Sequence, residues 1–125
     1  MNVHIKEANR YLANAKEILI EKAGRENGSY VDKKYVRMAG HTAYMGVLQA
    51  LDQLIPNVKK GKRKSVEYYQ RTLATHDKKL LSEFNELYNV LHLYISYDGV
   101  LNAKIVNAGM AMAKEFIQKI AARLN

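Results

Sequence analysis

The chain has no cysteine, no tryptophan, one proline (Pro56) and seven glycines in 125 residues. Without cysteine there is no disulfide scaffold, no thiolate nucleophile and no cysteine-ligated metal centre. Few prolines and glycines mean few forced breaks, which favours helices over a strand-and-turn fold. No apolar run approaches the length of a bilayer span. The start, Met1-Asn2-Val3-His4-Ile5-Lys6, holds no apolar signal core. The expectation is a cytoplasmic protein with no membrane partner.

Hydrophobic residues make up 48% of the chain and charged residues 26%, enough apolar material for a core and too little polarity for disorder. The length suits one domain, residues 1–125. The net charge of +8 favours a polyanionic partner such as RNA, DNA or an acidic protein, although many basic helical domains never touch nucleic acid. Tyrosine, at nine copies, supplies most of the aromatic content.

Apolar spacing defines the elements. Ile5, Ala8, Leu12, Ala15 and Leu19 form one stripe on a helix from Asn2 to Ala23. Gly24 to Ser29 reads as a loop. A second helix begins at the N-cap Asp32 and runs to about Ile55, stopped by Pro56. One of its seams is Val36, Gly40, Ala43, Val47, Ala50 and Leu54; the other is Met38, Met45, Leu48, Leu51 and Ile55. Gly40 and Gly46 allow close helix approach. A short third helix follows the N-cap Ser65, with Val66, Tyr69 and Leu73 as its apolar positions. Asp77 caps a fourth, Lys78 to Tyr97, with the seam Leu80, Phe84, Leu87, Leu91 and Tyr94. After the turn Asp98-Gly99, a last helix runs from about Val100 to Leu124 on Val106, Met110, Ala113, Ile117, Ile120 and Leu124. The methionines Met38, Met45, Met110 and Met112 read as core fillers. No strand pattern competes. The expected fold is all-α, an antiparallel up-and-down bundle of four long helices and one short one.

The fourth helix carries a second face, Asn85, Tyr88, Asn89 and His92, which its core seam does not explain. Tyr88 and His92 lie one turn apart. A plain solvated face would carry lysine and glutamate; rigid rings with polar tips suit a groove or an interface. The connector supplies Lys59, Lys60, Lys62, Arg63 and Lys64 around Gly61, able to attract phosphates, with Tyr68 and Tyr69 beyond it for stacking. The plainer alternative for each feature is a solvated or self-contacting surface. No pair of histidines at i and i+4 and no carboxylate cluster has metal-ligand spacing, so no metal and no cofactor is expected.

With these residues in view, the layout resembles the HEPN superfamily, the "higher eukaryotes and prokaryotes nucleotide-binding" helical domains. The segment Tyr11 to Leu19 and the stretch Tyr35 to Leu51, with His41, Ala43 and Tyr44 at mid-helix, share its character. His92-Leu93-Tyr94 matches the end of the motif carried by nuclease members of that superfamily. Asn89 matches its asparagine approximately, and the motif's arginine has no counterpart, whether Tyr88 takes its position or, with the histidines aligned, Leu87 does. The resemblance implies a compact helical domain, often dimeric, whose relatives are RNases or companions of nucleotidyltransferases. Histidine alone moves protons but supplies no fixed cation for a phosphorane-like transition state. The expected function is therefore a non-catalytic, homodimeric HEPN-like module that binds RNA or a partner protein. Its groove would be lined by Asn85, Tyr88, Asn89, His92 and Tyr94. The alternatives are a degenerate metal-independent endoribonuclease or toxin–antitoxin component using His92 with Arg71, and a purely structural interaction domain. Arg71 and His76 do have an arginine–histidine spacing, but residues five apart share a helix face poorly.

Overall fold

The computed structural model describes residues 2–55 and 63–124, and 79% of these described residues are helical. The fold is all-α apart from one small hairpin. Helix α1, Val3–Ile18, starts where Asn2 Oδ1 accepts from the backbone N–H groups of His4 and Ile5, at 2.8 and 3.3 Å. It continues as a π-helical turn, Leu19–Ala23, and ends at Gly24, whose φ of 69° takes the chain out of the helix.

The stretch read as a loop is a two-stranded hairpin instead. Strand β1, Arg25–Glu26, pairs antiparallel with β2, Ser29–Tyr30, in the register Arg25↔Tyr30 and Glu26↔Ser29. Asn27 and Gly28, at φ 50° and 81°, are both left-handed, the conformation a two-residue type I′ turn requires. Strands of two residues carry no alternation, so only this Asn-Gly pair signalled them. The hairpin is held from the far end of the chain. Ser29 bridges to Asn102, the Tyr30 N–H donates to the Leu101 carbonyl (2.8 Å), and the Ala103 N–H donates to that of Gly28 (3.0 Å).

Helix α2 is Lys33–Leu51, capped by Asp32. It stops four residues before Ile55, and turn hydrogen bonds such as Leu54 N–H to the Leu51 carbonyl finish the segment. Helix α3, Val66–His76, is capped by Ser65. Helix α4, Lys78–Leu87, is capped by Asp77 and continues as a π-helical segment, Tyr88–Tyr97. Helix α5, Ala103–Arg123, starts three residues later than the apolar pattern suggested, because Asn102 Oδ1 caps Ile105.

Helix α2 is the centre of the packing and contacts α1, the π segment of α4, and α5. Two glycines bring it close to its neighbours. A Cβ at Gly46 would stand 3.0 Å from the Ala8 carbonyl oxygen; one at Gly40 would stand 2.6 Å from Ile95 Cγ2 and 2.8 Å from the Ser96 nitrogen. The buried residues form one apolar cluster, and no polar or charged residue among those described is buried within it. The expected seams of α1 and α5 are buried except at Leu124, where α5 ends.

Two apolar expectations are corrected. Met38, read as core filler, is 44% exposed on α2. Tyr94, read into the α4 seam, is 53% exposed, and Ile95 is buried in its place. The π segment is the cause. Its hydrogen bonds reach one residue further, as in Asp98 N–H to the Leu93 carbonyl at 2.9 Å, so the buried series becomes Leu87, Leu91, Ile95. Among the described residues, no helix is long and apolar enough to cross a membrane.

Candidate functional site

The π segment begins at Tyr88, within the polar stripe of α4, and holds Tyr88, Asn89 and His92. Tyr88 and His92 do not point into open water. Their rings, with centroids 5.1 Å apart, meet Tyr44 of α2. Tyr44 lies 5.0 Å from the His92 ring and 6.0 Å, edge-on, from Tyr88. The three rings form one cluster between two antiparallel segments, since Arg37 near the start of α2 reaches Ser96 near the end of the π segment while Tyr44 reaches His92 and Tyr88. Burial, and then the facing Tyr88 phenol, push the Tyr44 hydroxyl above the usual tyrosine range.

His92 Nδ1 is sealed from solvent and has no hydrogen-bond partner among the described residues. Leaving such an atom unpaired costs about 1–3 kcal/mol, and orphaned buried groups concentrate where function needs them. Tilted contacts with the Tyr44 and Tyr88 rings hold the imidazole. The π segment has the same association with functional positions.

The remaining stripe residues separate. Asn85 is half-buried and accepts from Gln70 Nε2 of α3 at 2.9 Å, so it braces α3 against α4. Asn89 is exposed on the first turn of the π segment. Tyr94, and beyond it Tyr97 at 70% exposure, present rings outward from its last turns. Arg37 lies across from them, its Nε donating to the Ser96 carbonyl at 3.2 Å while the side chain stays exposed. Tyr44 and Arg37 are the partners missed in reading α4 alone; both sit on α2, and only the mid-helix position of Tyr44 beside His41 hinted at one of them. Arg71 and His76 stay on α3, and His76, at the α3–α4 junction, is separated from His92 by most of α4, roughly 20 Å along its axis.

The basic connector is only partly described. Lys59, Lys60 and Lys62 lie outside the described residues, and Arg63 is exposed. Lys64, read as a phosphate-attracting cation, is instead committed internally. Its side chain is 8% exposed, and Nζ lies 2.7 Å from Asp52 Oδ1 and 3.1 Å from the Ile55 carbonyl. Tyr69 donates to the same Asp52 oxygen at 2.6 Å. Its hydroxyl is held above the tyrosine range, first by burial and then by this carboxylate. Tyr69 is therefore core and takes no part in a stacking surface. No three histidine, aspartate or glutamate side chains among the described residues converge on a metal position.

A solved structure, described as a protein of unknown function from Dyadobacter fermentans, is similar at 49% identity and a TM-score of 0.88, covering 96% of this chain and 95% of its own. No curated protein matches the chain. One family model covers residues 3–122, essentially the whole helical domain, and the chain belongs to that family, the domain of unknown function DUF5618.

Proposed function

We propose that the protein is a non-catalytic RNA-binding module of HEPN-like architecture that works in the cytoplasm as a homodimer, with the seam between α2 and α4 as its RNA-facing surface. The observation that carries this reading is the π segment. It turns Tyr94 and Tyr97 outward beside the exposed Arg37 and sets the imidazole of His92 against Tyr44 and Tyr88 with its Nδ1 buried and unpartnered among the described residues. Exposed rings beside cations suit single-stranded RNA, because bases stack on the rings and the cations attract phosphates. The net charge of +8 adds a long-range attraction. No arginine follows the HEPN nuclease spacing on α4, and Arg37 is turned to the Ser96 carbonyl, which favours binding over cleavage.

The test is fluorescence anisotropy with single-stranded RNA oligonucleotides across a salt series. Binding should weaken steeply as salt rises, and Tyr94→Ala with Tyr97→Ala should weaken it further by about 1–3 kcal/mol per lost stack. Absence of binding at low salt refutes the reading. Cleavage that disappears in His92→Ala would replace it with the endoribonuclease alternative. Sedimentation velocity tests the homodimer, and a nucleotidyltransferase encoded next door would support a toxin–antitoxin partnership.

A further inference from the structure

A second concavity lies away from the α2–α4 seam. It runs between the end of α1, the hairpin and the middle of α5, and encloses about 380 Å³. Its α1 wall is Lys16, Leu19 and Ile20; its α5 wall includes Met110 and Lys114. Asn107, Met110, Ala111 and Lys114 recur at threes and fours, so they form one stripe of α5. Leu19 and Met110 are buried at 3% and make the floor. Ile20 is 82% exposed, and it belongs to the π-helical turn that ends α1. The Tyr30 hydroxyl donates to Asn107 Oδ1 at 2.7 Å and fixes the end wall.

The charge is one-sided. Lys16 and Lys114 line this groove, no acidic side chain does, and neither lysine makes an ion pair among the described residues. The α4–α5 groove is different: Glu83, Glu86 and Glu115 offset Lys79 and Lys119, and Glu83 pairs with Lys119 at 2.6 Å. An apolar floor with two unpaired ammonium groups complements a small molecule that has an apolar body and one anionic head. We infer that the groove bounded by Lys16, Ile20, Tyr30 and Lys114 is a binding site for a free amphipathic monoanion, with its carboxylate between the two lysines and its apolar part over Leu19 and Met110.

Octanoate is the probe, followed by amide chemical shifts in nitrogen-15-labelled full-length protein, with octylamine as the cationic counterpart. Saturable shifts confined to Leu19, Ile20, Tyr30, Asn107 and Ala111, given by octanoate and not by octylamine, support the assignment. The Lys16→Glu, Lys114→Glu double variant should weaken octanoate at least about tenfold. Ala111→Phe, which fills the groove from an exposed position, should abolish the shifts with the helical circular dichroism unchanged. Equal responses to the two amphiphiles, shifts scattered over the surface, or no saturation would overturn it. So would sedimentation with anionic phosphatidylglycerol vesicles in the absence of an octanoate response, which would reassign the groove to a membrane surface. The outcome is independent of RNA binding at the α2–α4 seam.

Discussion

Asp52 Oδ1 accepts from two groups at once, Lys64 Nζ at 2.7 Å and the Tyr69 hydroxyl at 2.6 Å. The pair of bonds ties the end of α2 to the entry of α3 across the connector. Removing the carboxylate charge strands an ammonium that is almost inaccessible to water. Asp52→Asn should therefore destabilise the fold by about 2–4 kcal/mol, whereas Tyr69→Phe, which loses one hydroxyl, should cost about 1 kcal/mol. Urea unfolding followed by circular dichroism measures both. Equal and negligible effects would show that the triad does not hold α3.

His92 should be replaceable for folding. His92→Phe keeps a ring against Tyr44 and Tyr88 and removes the unsatisfied Nδ1, so stability should hold or rise by up to about 1 kcal/mol. His92→Ala empties the space between the rings and should cost about 2 kcal/mol or more. Thermal melts of the two variants decide the matter. A large loss in His92→Phe would mean that the imidazole is there for structure. A neutral effect on stability with loss of RNA binding would tie it to the proposed surface.

The approach of α2 to the π segment leaves no room for a methyl group at position 40. Gly40→Ala would press on Ile95 and on the backbone nitrogen of Ser96, which cannot swing aside as a side-chain end can. A loss of about 1–3 kcal/mol is expected. Because this contact sets the spacing of the α2–α4 seam, the same variant should weaken RNA binding. Calorimetry together with the anisotropy assay reads both effects.

Acid should act through Asp77. The Leu80 amide and then the Arg123 guanidinium hold its carboxyl below the ordinary value of 3.8. A depressed folded value means stability that is present above the unfolded value and is lost as pH falls through the folded one. Asparagine keeps the cap and removes the charge. Wild type should thus exceed Asp77→Asn in urea midpoint near pH 6, with the difference closing towards pH 2. At the alkaline end the sign reverses. Tyr44 and Tyr69 hold their protons more tightly in the fold, so their contribution is full below pH 10 and is lost as pH rises through their folded values. Absorbance titration should show a late phenol step that shrinks in Tyr44→Phe and again in Tyr69→Phe.

Local chemistry was legible in the chain. Asp32, Ser65 and Asp77 were identifiable as caps because a cap is a contact over two or three residues. The stripe of α1 is visible for a similar reason, as every member falls on one face of a regular helix. Gly40 and Gly46 stood out as points of close approach, and the structure puts the π segment and α1 against them. What escaped depends on partners far along the chain or on departures from the regular helix. Lys64 looks like one more solvated lysine until Asp52 is beside it. Tyr94 belongs to the core at α-helical spacing and leaves it when the segment becomes π-helical. Tyr44 gains its meaning only when α2 meets α4.

The joining of residues 28–30 to residues 101–103 has a consequence for how the chain matures. A hairpin of two-residue strands is too short to persist by itself. Its outer edge is closed by a segment about seventy residues later in the chain. Until α5 arrives, that ribbon has an unsatisfied flank open to other chains, and docking of Asn102 removes the flank. Helix α5 thus completes the core, and the residues that lead into it cover the edge of the hairpin.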